Sequence, residues 1–248
     1  MERDYWDELF DEMYLLTYAA LDRGGAQDEE ALAAARLAGT EPGADLLDAP
    51  CGYGRHSIPL AAAGYHVVGV DRSPVLLDEA RRRAGEGEWP RWVEADHREL
   101  PLEDASFDAV LCLFTSLGYR DEEGDERTLA EFQRVLRPGG RLVVESMHRD
   151  RLMHILQERS WDPLPDGGTL FEDRRFDYAQ GFMEEDFVVI RPDGTRRQIT
   201  YRVRCYTATE LGKLIEGAGF VELQYLGGLD GGELSREKRL VIVARKPD

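Results

Sequence analysis

Cysteine is scarce in this chain of 248 residues, where only Cys51, Cys112 and Cys205 occur and no two of them form a C-x-x-C pair. An odd number of cysteines at these spacings argues against a disulfide framework and against a thiolate zinc site. Reduced thiols are therefore expected, and no metal site is predicted. A chain of this length can bury a core large enough to fold without such cross-links.

Basic residues are also in short supply, since 31 Lys and Arg face 49 Asp and Glu and the net charge is −18. Such a chain repels phosphate backbones, so no nucleic-acid partner is expected. No apolar run is long enough to span a bilayer, and the first residues, M-E-R-D-Y-W-D-E, are too acidic for a signal peptide. The composition thus predicts a cytoplasmic protein with no membrane partner.

Strand-like and helix-like segments alternate after residue 44, which is typical of a doubly wound parallel sheet in an α/β protein. Ser73 followed by Pro74 predicts the start of a helix that runs through Arg83, and R-P-G-G at Arg137 predicts a turn into the fifth strand. The strands predicted for this sheet are residues 45–49, 66–70, 91–95, 107–113 and 141–146.

The chain is predicted to have four parts. Residues 1–40 form two helices, the first rich in aromatic residues, that act as a cap or lid. Residues 41–150 form the core with the nucleotide site. Residues 151–206 are an insertion, and residues 207–248 return the chain to the core with a capped helix and two last strands.

The insertion has a strand pattern of its own. Residues 169–178, 182–191 and 196–206 alternate in polarity, and R-P-D-G-T between the last two is a hairpin turn. The pattern predicts an antiparallel β meander outside the main sheet. Because it follows a complete run of parallel units, we expect it to cover the substrate or to contact a second subunit.

Residues 45–71 combine an apolar strand, a glycine turn, a helix and a second strand that ends in an acid. Gly52 and Gly54 lack the Cβ atoms that would keep a ligand from the backbone, and a helix predicted to begin near Arg55 offers free N–H groups. Asp71 ends the neighbouring strand, where a carboxylate can accept hydrogen bonds from both hydroxyls of a ribose. This order of elements predicts a nucleotide site.

Five motifs stand in order along the chain: D-A-P-C-G-Y-G-R at Asp48, G-V-D-R-S at Gly69, E-A-D at Glu94, F-D-A-V at Phe107 and L-R-P-G-G-R-L at Leu136. With these motifs the sequence resembles the class I S-adenosylmethionine-dependent methyltransferases. The resemblance implies a Rossmann-like sheet of seven strands with an antiparallel last strand, S-adenosylmethionine as the cofactor and S-adenosylhomocysteine as the product. The second half of the chain looks like a bacterial branch of that family that acts on small molecules.

The resemblance also implies the residues that surround the cofactor, most of which follow the first four strands. One departure is Pro50, which stands where the family usually has the first glycine of its turn and which removes an N–H group. The N-terminal aromatic residues either pack as core or fold over the cofactor, with Tyr14 facing its carboxylate. The cofactor-binding candidates are Asp48, Ala49, Gly52 and Gly54 for the methionine half, Asp71 for the ribose, Asp96 and His97 for the adenine, Leu113 and Phe114 beneath it, and Arg72 and Tyr14.

Methyl transfer from a sulfonium requires alignment of the acceptor and exclusion of water rather than a nucleophile on the enzyme. A base helps where the acceptor must lose a proton. Tyr119 and His148 follow the fourth and fifth strands, where a doubly wound sheet places its ligands, and they are the candidates for this role. Equally, His148 can cap the next helix and Tyr119 can fill a corner of the core.

Three functions stay open at this point. The first is a methyltransferase that acts on an N or O atom of a small molecule, as a monomer or homodimer. The second is a regulatory domain that binds the cofactor without catalysis, and an open cavity in front of Phe114 and Tyr119 distinguishes the two. A nicotinamide-dependent oxidoreductase is the third, because Ser57 is small enough for the last position of a G-x-G-x-x-G turn.

Overall fold

The structure is a computed structural model that describes residues 5–18 and 26–248. Expectations that concern residues 1–4 and 19–25 lie outside this part of the chain. The helices in the described ranges are α1 Tyr5–Leu9, α2 Glu12–Thr17, α3 Ala26–Leu37, α4 Ser57–Ala62, α5 Pro74–Ala84, α6 Glu122–Val135, α7 Arg149–Ile155 and α8 Ala208–Gly217.

The strands belong to two sheets. The core strands are β1 Asp45–Asp48, β2 His66–Asp71, β3 Arg91–Glu94, β4 Phe107–Cys112, β5 Leu136–Ser146, β10 Val221–Leu226 and β11 Leu240–Arg245; the inserted strands are β6 Arg159–Pro163, β7 Thr169–Asp177, β8 Phe182–Ile190 and β9 Arg196–Arg204.

The core sheet has the order β10-β11-β5-β4-β1-β2-β3. Strands β1 to β5 pair in parallel, whereas β11 runs antiparallel to both β5 and β10. Both faces of this sheet are covered, since Leu47 packs in one apolar cluster and Leu46 packs in another on the opposite side. The predicted doubly wound sheet with an antiparallel last strand is confirmed.

Local signals explain several element ends. Ser73 caps α5 by accepting a hydrogen bond from the Leu76 N–H at 3.2 Å, and Pro74 occupies the first turn, as predicted. Thr207 and Glu210 form a capping box at the start of α8. The fifth strand begins earlier than predicted, because Leu136 already pairs with Phe107 before an irregularity in the ladder.

The inserted sheet is antiparallel with the order β6-β7-β8-β9. The predicted meander is confirmed for three strands, but β6 was missing from the prediction. Its sequence, R-S-W-D-P, has no apolar alternation, and it becomes a strand through its pairing with β7, from Arg159 opposite Asp173 to Pro163 opposite Thr169.

The N-terminal helices pack against two different parts of the molecule. Ala31 and Ala34 of α3 pack with Leu46 on the core sheet, while Leu9 and Met13 of α1 and α2 pack with the inserted sheet. The expectation that residues 1–40 act as a cap or lid stays a prediction. No helix in the described ranges is both long and apolar enough to cross a membrane.

Candidate active site

One cavity of about 480 Å³ lies at the carboxyl ends of the core strands. The core sheet, the helices α1 and α2 and the inserted sheet all contribute to its walls. A volume of this size suits a small-molecule site. The cavity therefore joins the predicted cofactor position to the inserted sheet in one continuous space.

The two glycines of the first turn have different roles. Gly52 lines the cavity with a φ of +55°, and a Cβ at this position would meet no atom within 4 Å, so its backbone is open to a ligand. Gly54 has a φ of +80°, and a Cβ there would lie 2.7 Å from the Trp92 ring and 3.0 Å from Ile58. The missing side chain of Gly54 thus makes room for Trp92, and its contact with a ligand stays a prediction.

Asp71 lines the cavity at the end of β2 and is 6% exposed. One carboxylate oxygen accepts the Gly52 N–H at 2.8 Å, and the other accepts the Ser73 N–H at 2.9 Å. Burial raises the pKa of this carboxyl to about 6. A carboxylate offers about four lone-pair sites, so Asp71 can still accept hydrogen bonds from a ligand beside these backbone donors.

Asp48 and Ala49 lie beneath the turn, fully buried, and they are not among the side chains that line the cavity. The Ser57 hydroxyl donates to Asp48 Oδ2 at 2.5 Å, while Asp48 Oδ1 has no hydrogen-bond partner among the described residues. Burial raises the pKa of Asp48 to about 7. Their contact with a cofactor stays a prediction.

Asp96 and His97 differ in whether they line the cavity. His97 lines the cavity, and burial lowers its pKa to about 4, so its imidazole is neutral. Asp96 is not among the residues that line the cavity, and the Arg98 guanidinium donates to both of its oxygens, at 2.9 and 2.6 Å. The structure therefore brings His97 but not the Asp96 carboxylate to the predicted adenine position.

An aromatic wall formed by Trp6, Phe10, Tyr14 and Tyr18 closes the cavity from the N-terminal side. Ring centroids are 5.3 Å apart between Phe10 and Tyr14 and 4.8 Å apart between Tyr14 and Tyr18. Burial holds the pKa of Tyr14 well above its usual value, so its hydroxyl stays protonated.

Two polar contacts tie this aromatic wall to the Asp71 region. Ser73 Oγ donates to the Phe10 carbonyl at 2.6 Å, and Arg72, which lines the cavity, pairs with Asp7 at 2.8 Å. The order of the first helices is therefore coupled to the residues that flank Asp71.

Leu113 and Phe114 line the cavity after β4. The Phe114 N–H donates to Glu145 at 2.9 Å, and the Arg55 guanidinium lies 4.2 Å from the centre of the Phe114 ring. Arg55 Nε is buried and has no hydrogen-bond partner among the described residues. Arg55, whose guanidinium also pairs with Glu30 at 2.9 Å, thus places a cation at the end of the cavity next to the glycine turn.

The two candidate bases are placed differently. Tyr119 lines the cavity, and its ring lies 5.5 Å from Trp6 and 6.0 Å from Tyr201. His148 is buried at the N-cap of α7 without a capping hydrogen bond from its side chain, and its Nε2 is 3.5 Å from Asp150. It does not line the cavity, so only Tyr119 stands where an acceptor could meet it.

A row of polar side chains on the inserted sheet was missed by the sequence reasoning. Arg174, Glu185 and Tyr201 lie opposite one another on β7, β8 and β9 and line the cavity. Alternation along β8 could have revealed the position, since Glu185 shares its face with the buried Phe187. Within residues 5–18 and 26–248, no group of His, Cys, Asp and Glu is arranged to hold a metal ion.

Comparison with known proteins agrees with this geometry. Residues 46–140 match the family described as "Methyltransferase domain". The demethylmenaquinone methyltransferase of Clavibacter sepedonicus is 40% identical over 113 residues, which are 46% of this chain and 45% of that protein. The chain spans about half the length of the curated relatives it matches.

Solved structures match over nearly the whole chain. The CcbJ methyltransferase of Streptomyces caelestis has a TM-score of 0.79 at 23% identity, with full coverage of both chains. CalS10, an amino pentose methyltransferase of Micromonospora echinaspora solved with S-adenosylmethionine bound, has a TM-score of 0.68 at 28% identity and covers 94% of this chain and 96% of its own. Residues 46–140 therefore match a methyltransferase domain, and the resemblance to the class I S-adenosylmethionine-dependent methyltransferases that the motifs indicated is confirmed.

Proposed function

We propose that this protein transfers the methyl group of S-adenosylmethionine to an N or O atom of a small molecule. The observation that carries the proposal is the continuous cavity of about 480 Å³ that runs from Gly52 and Asp71 past Phe114 and Tyr119 to the inserted sheet. One end suits a nucleoside, and the other end leaves space for a second molecule. Names of relatives and structural neighbours include quinone and amino sugar methyltransferases, which supports a small-molecule acceptor.

The residues at the core end fit the cofactor. Asp71 offers acceptors to ribose hydroxyls, and the open Cβ position of Gly52 permits close approach to the backbone. The buried Nε of Arg55, which has no other hydrogen-bond partner in the described part of the chain, suits the carboxylate of the methionine half. The bound cofactor would supply an electrophilic methyl group on a sulfonium.

The protein's own contribution is alignment and exclusion of water. The aromatic wall of α1 and α2 covers the cavity, and a closed, dry site strengthens the interactions that orient the acceptor. Tyr119 is the candidate that accepts or orients a proton of the acceptor, from its position between Trp6 and Tyr201. His148 lies outside the cavity lining and is not assigned this role.

The alternatives are less well supported. An open cavity in front of Phe114 and Tyr119 favours an enzyme over a module that only binds the cofactor. A nicotinamide site would use Ser57 as the third small residue of its turn, whereas the family model and the solved structures that match the chain are methyltransferases. The monomeric or homodimeric state stays a prediction.

Three measurements on the purified protein test the proposal. Calorimetric titration should show binding of S-adenosylhomocysteine, and a thermal-shift screen in its presence should find small acceptors that raise the melting temperature further. Hits are then assayed for product methylation by mass spectrometry. Absence of S-adenosylhomocysteine binding, or binding without any methylated product from the stabilising acceptors, would count against the enzyme.

Binding of S-adenosylhomocysteine should also slow amide hydrogen exchange in residues 5–18. Ser73 and Arg72 link this segment to the elements beside Asp71, so a ligand that orders the Asp71 region restrains the helices as well. Exchange in α8, which lies outside the cavity, serves as the internal control. Equal exchange in residues 5–18 with and without ligand would show that these helices are ordinary packing and not a lid.

A further inference from the structure

The acceptor end of the cavity contains a charged group that the methyl-transfer reaction does not explain. Glu185 is 2% exposed, yet it stands on the inward face of the inserted sheet. The Tyr201 hydroxyl donates to its Oε2 at 2.5 Å. Its Oε1 has no hydrogen-bond partner in the described part of the chain, although the Nε of Arg174 lies 3.1 Å away as an ion pair. This carboxylate oxygen is therefore buried in the cavity wall, with the Arg174 guanidinium beside it and no hydrogen-bond donor aligned to it.

Arg174 is the cation of the row formed by Arg174, Glu185 and Tyr201, and its guanidinium is shared between two carboxylates. Arg174 also pairs with Glu172 at 2.5 Å and donates to Ser160 at 2.9 Å, so one positive charge faces two carboxylates. Asp162 lines the same end of the cavity. Arg204, another cation in the lining, is engaged with Glu210 at 2.9 Å. The acceptor end consequently carries an excess of negative charge.

Aromatic rings complete this end. Tyr18 stacks between Tyr14 and Phe187, at centroid distances of 4.8 and 6.2 Å. The Tyr119 ring lies 6.0 Å from that of Tyr201 on the opposite side. Aromatic faces attract cations, and an ammonium group gains most where such faces adjoin a buried carboxylate.

We propose that Glu185, with Glu172 and the tyrosine rings around it, forms a subsite for an ammonium group and that the protein selects methyl acceptors that carry a basic amine. This inference rests on the proposed methyltransferase function and adds the chemical class of its acceptor. The subsite binds the amine in its protonated form through Glu185 Oε1. Neutral acceptors of the same shape leave the carboxylate without a partner and bind more weakly.

The pH dependence follows from the surroundings of Glu185. Burial and the neighbouring Glu172 raise the pKa of this carboxyl to about 7, whereas Arg174 and the Tyr201 hydroxyl lower it. Below this pKa the free carboxyl is protonated and has no charge to offer. Affinity for a permanently charged ammonium should therefore rise as the pH increases from about 6 to about 8.5.

The test compares benzylamine with benzyl alcohol, which has nearly the same shape but no charge, by calorimetric titration with and without S-adenosylhomocysteine. We expect the parent protein to bind benzylamine about tenfold more tightly than benzyl alcohol at pH 8. Glu185→Gln, which keeps an acceptor for Tyr201, should remove this preference, and Glu185→Asp should retain part of it. Benzyltrimethylammonium, whose charge does not titrate, should show the rise with pH in the parent and a flat profile in Glu185→Gln.

Glu184→Gln is the matched control, because Glu184 lies next to Glu185 on the exposed face of β8 and pairs with Arg175 at 2.9 Å. It should behave as the parent, and all three variants should bind S-adenosylhomocysteine as the parent does. Equal binding of the two benzyl probes, or a preference that survives Glu185→Gln, would overturn the subsite while leaving the cofactor site intact. Absence of S-adenosylhomocysteine binding would instead refute the proposed function. In that case the titrations of the benzyl probes in the absence of S-adenosylhomocysteine still show whether the ammonium subsite exists.

Discussion

Replacement of Asp71 by alanine should weaken the binding of S-adenosylhomocysteine about ten- to a hundredfold. A carboxylate that accepts from two ribose hydroxyls makes charge-assisted hydrogen bonds, each worth about 1.5–3 kcal/mol when water is excluded. The Gly52 and Ser73 N–H groups use only part of the acceptor capacity of the carboxylate. Calorimetric titration at pH 8 measures the effect, since the pKa of about 6 leaves Asp71 ionised there.

The same substitution also lowers stability, because the Gly52 and Ser73 N–H groups lose their acceptor, at a cost of about 1–3 kcal/mol for each donor that stays buried. Asp121→Ala is the matched control: it removes a carboxylate that caps α6 through the Gly124 N–H, outside the cavity lining. It should cost about 1 kcal/mol of stability with no change in affinity. A change in affinity below about twofold for Asp71→Ala, beside a lowered melting temperature, would make Asp71 a structural acceptor and remove the ribose assignment.

The cofactor end of the site could be predicted because its signals are local. Ser73 and Pro74 specify the start of α5 by capping chemistry alone, and this fixes Asp71 two residues earlier at the end of β2. Gly52 follows β1 within a few residues, so the topology of a parallel sheet brings the two together. Little long-range information is needed to place them.

Other roles depend on neighbours that are distant in the sequence or on competing local contacts. Gly54 is a glycine because the Trp92 ring of β3 packs over it, which the motif itself does not reveal. The Asp96 carboxylate turns to Arg98, so a pattern that suggested an adenine contact produced a local ion pair. Similarly, β6 is a strand only because β7 offers it a partner.

The acceptor end combines both cases. Alternation along β8 places Glu185 on the buried face, and this much is readable from the sequence. Its partners are Arg174, which forms an ion pair with it, and Tyr201, which donates a hydrogen bond to it. The register of two hairpins places both of them opposite Glu185. Whether that face met solvent, a subunit or a cavity depended on how the inserted sheet packs against the core and α1.

Gly118→Ala should be strongly destabilising, at about 3–5 kcal/mol in urea denaturation. Gly118 has a φ of +95°, and a Cβ there would overlap the carbonyl oxygen of Arg204 at the end of β9. This contact joins the loop after β4 to the inserted sheet, because the Arg204 N–H donates to the Gly118 carbonyl at 2.7 Å and the Gly118 N–H donates to Asp125. A side chain at residue 118 must push these segments apart.

The control for Gly118→Ala is Gly43→Ala, where φ is +96° and a Cβ would meet nothing within 4 Å. That variant carries the backbone strain alone, about 1–2 kcal/mol, so the difference between the two isolates the clash with Arg204. Tyr119, the residue after Gly118, and Cys205, the residue after Arg204, both line the cavity. The clash should therefore also displace the acceptor end of the cavity and reduce turnover more than cofactor affinity. Equal losses of stability in the two variants would mean that the loop and the inserted sheet move apart at little cost, and the acceptor end would then not be the rigid, preformed surface that selection of an acceptor requires.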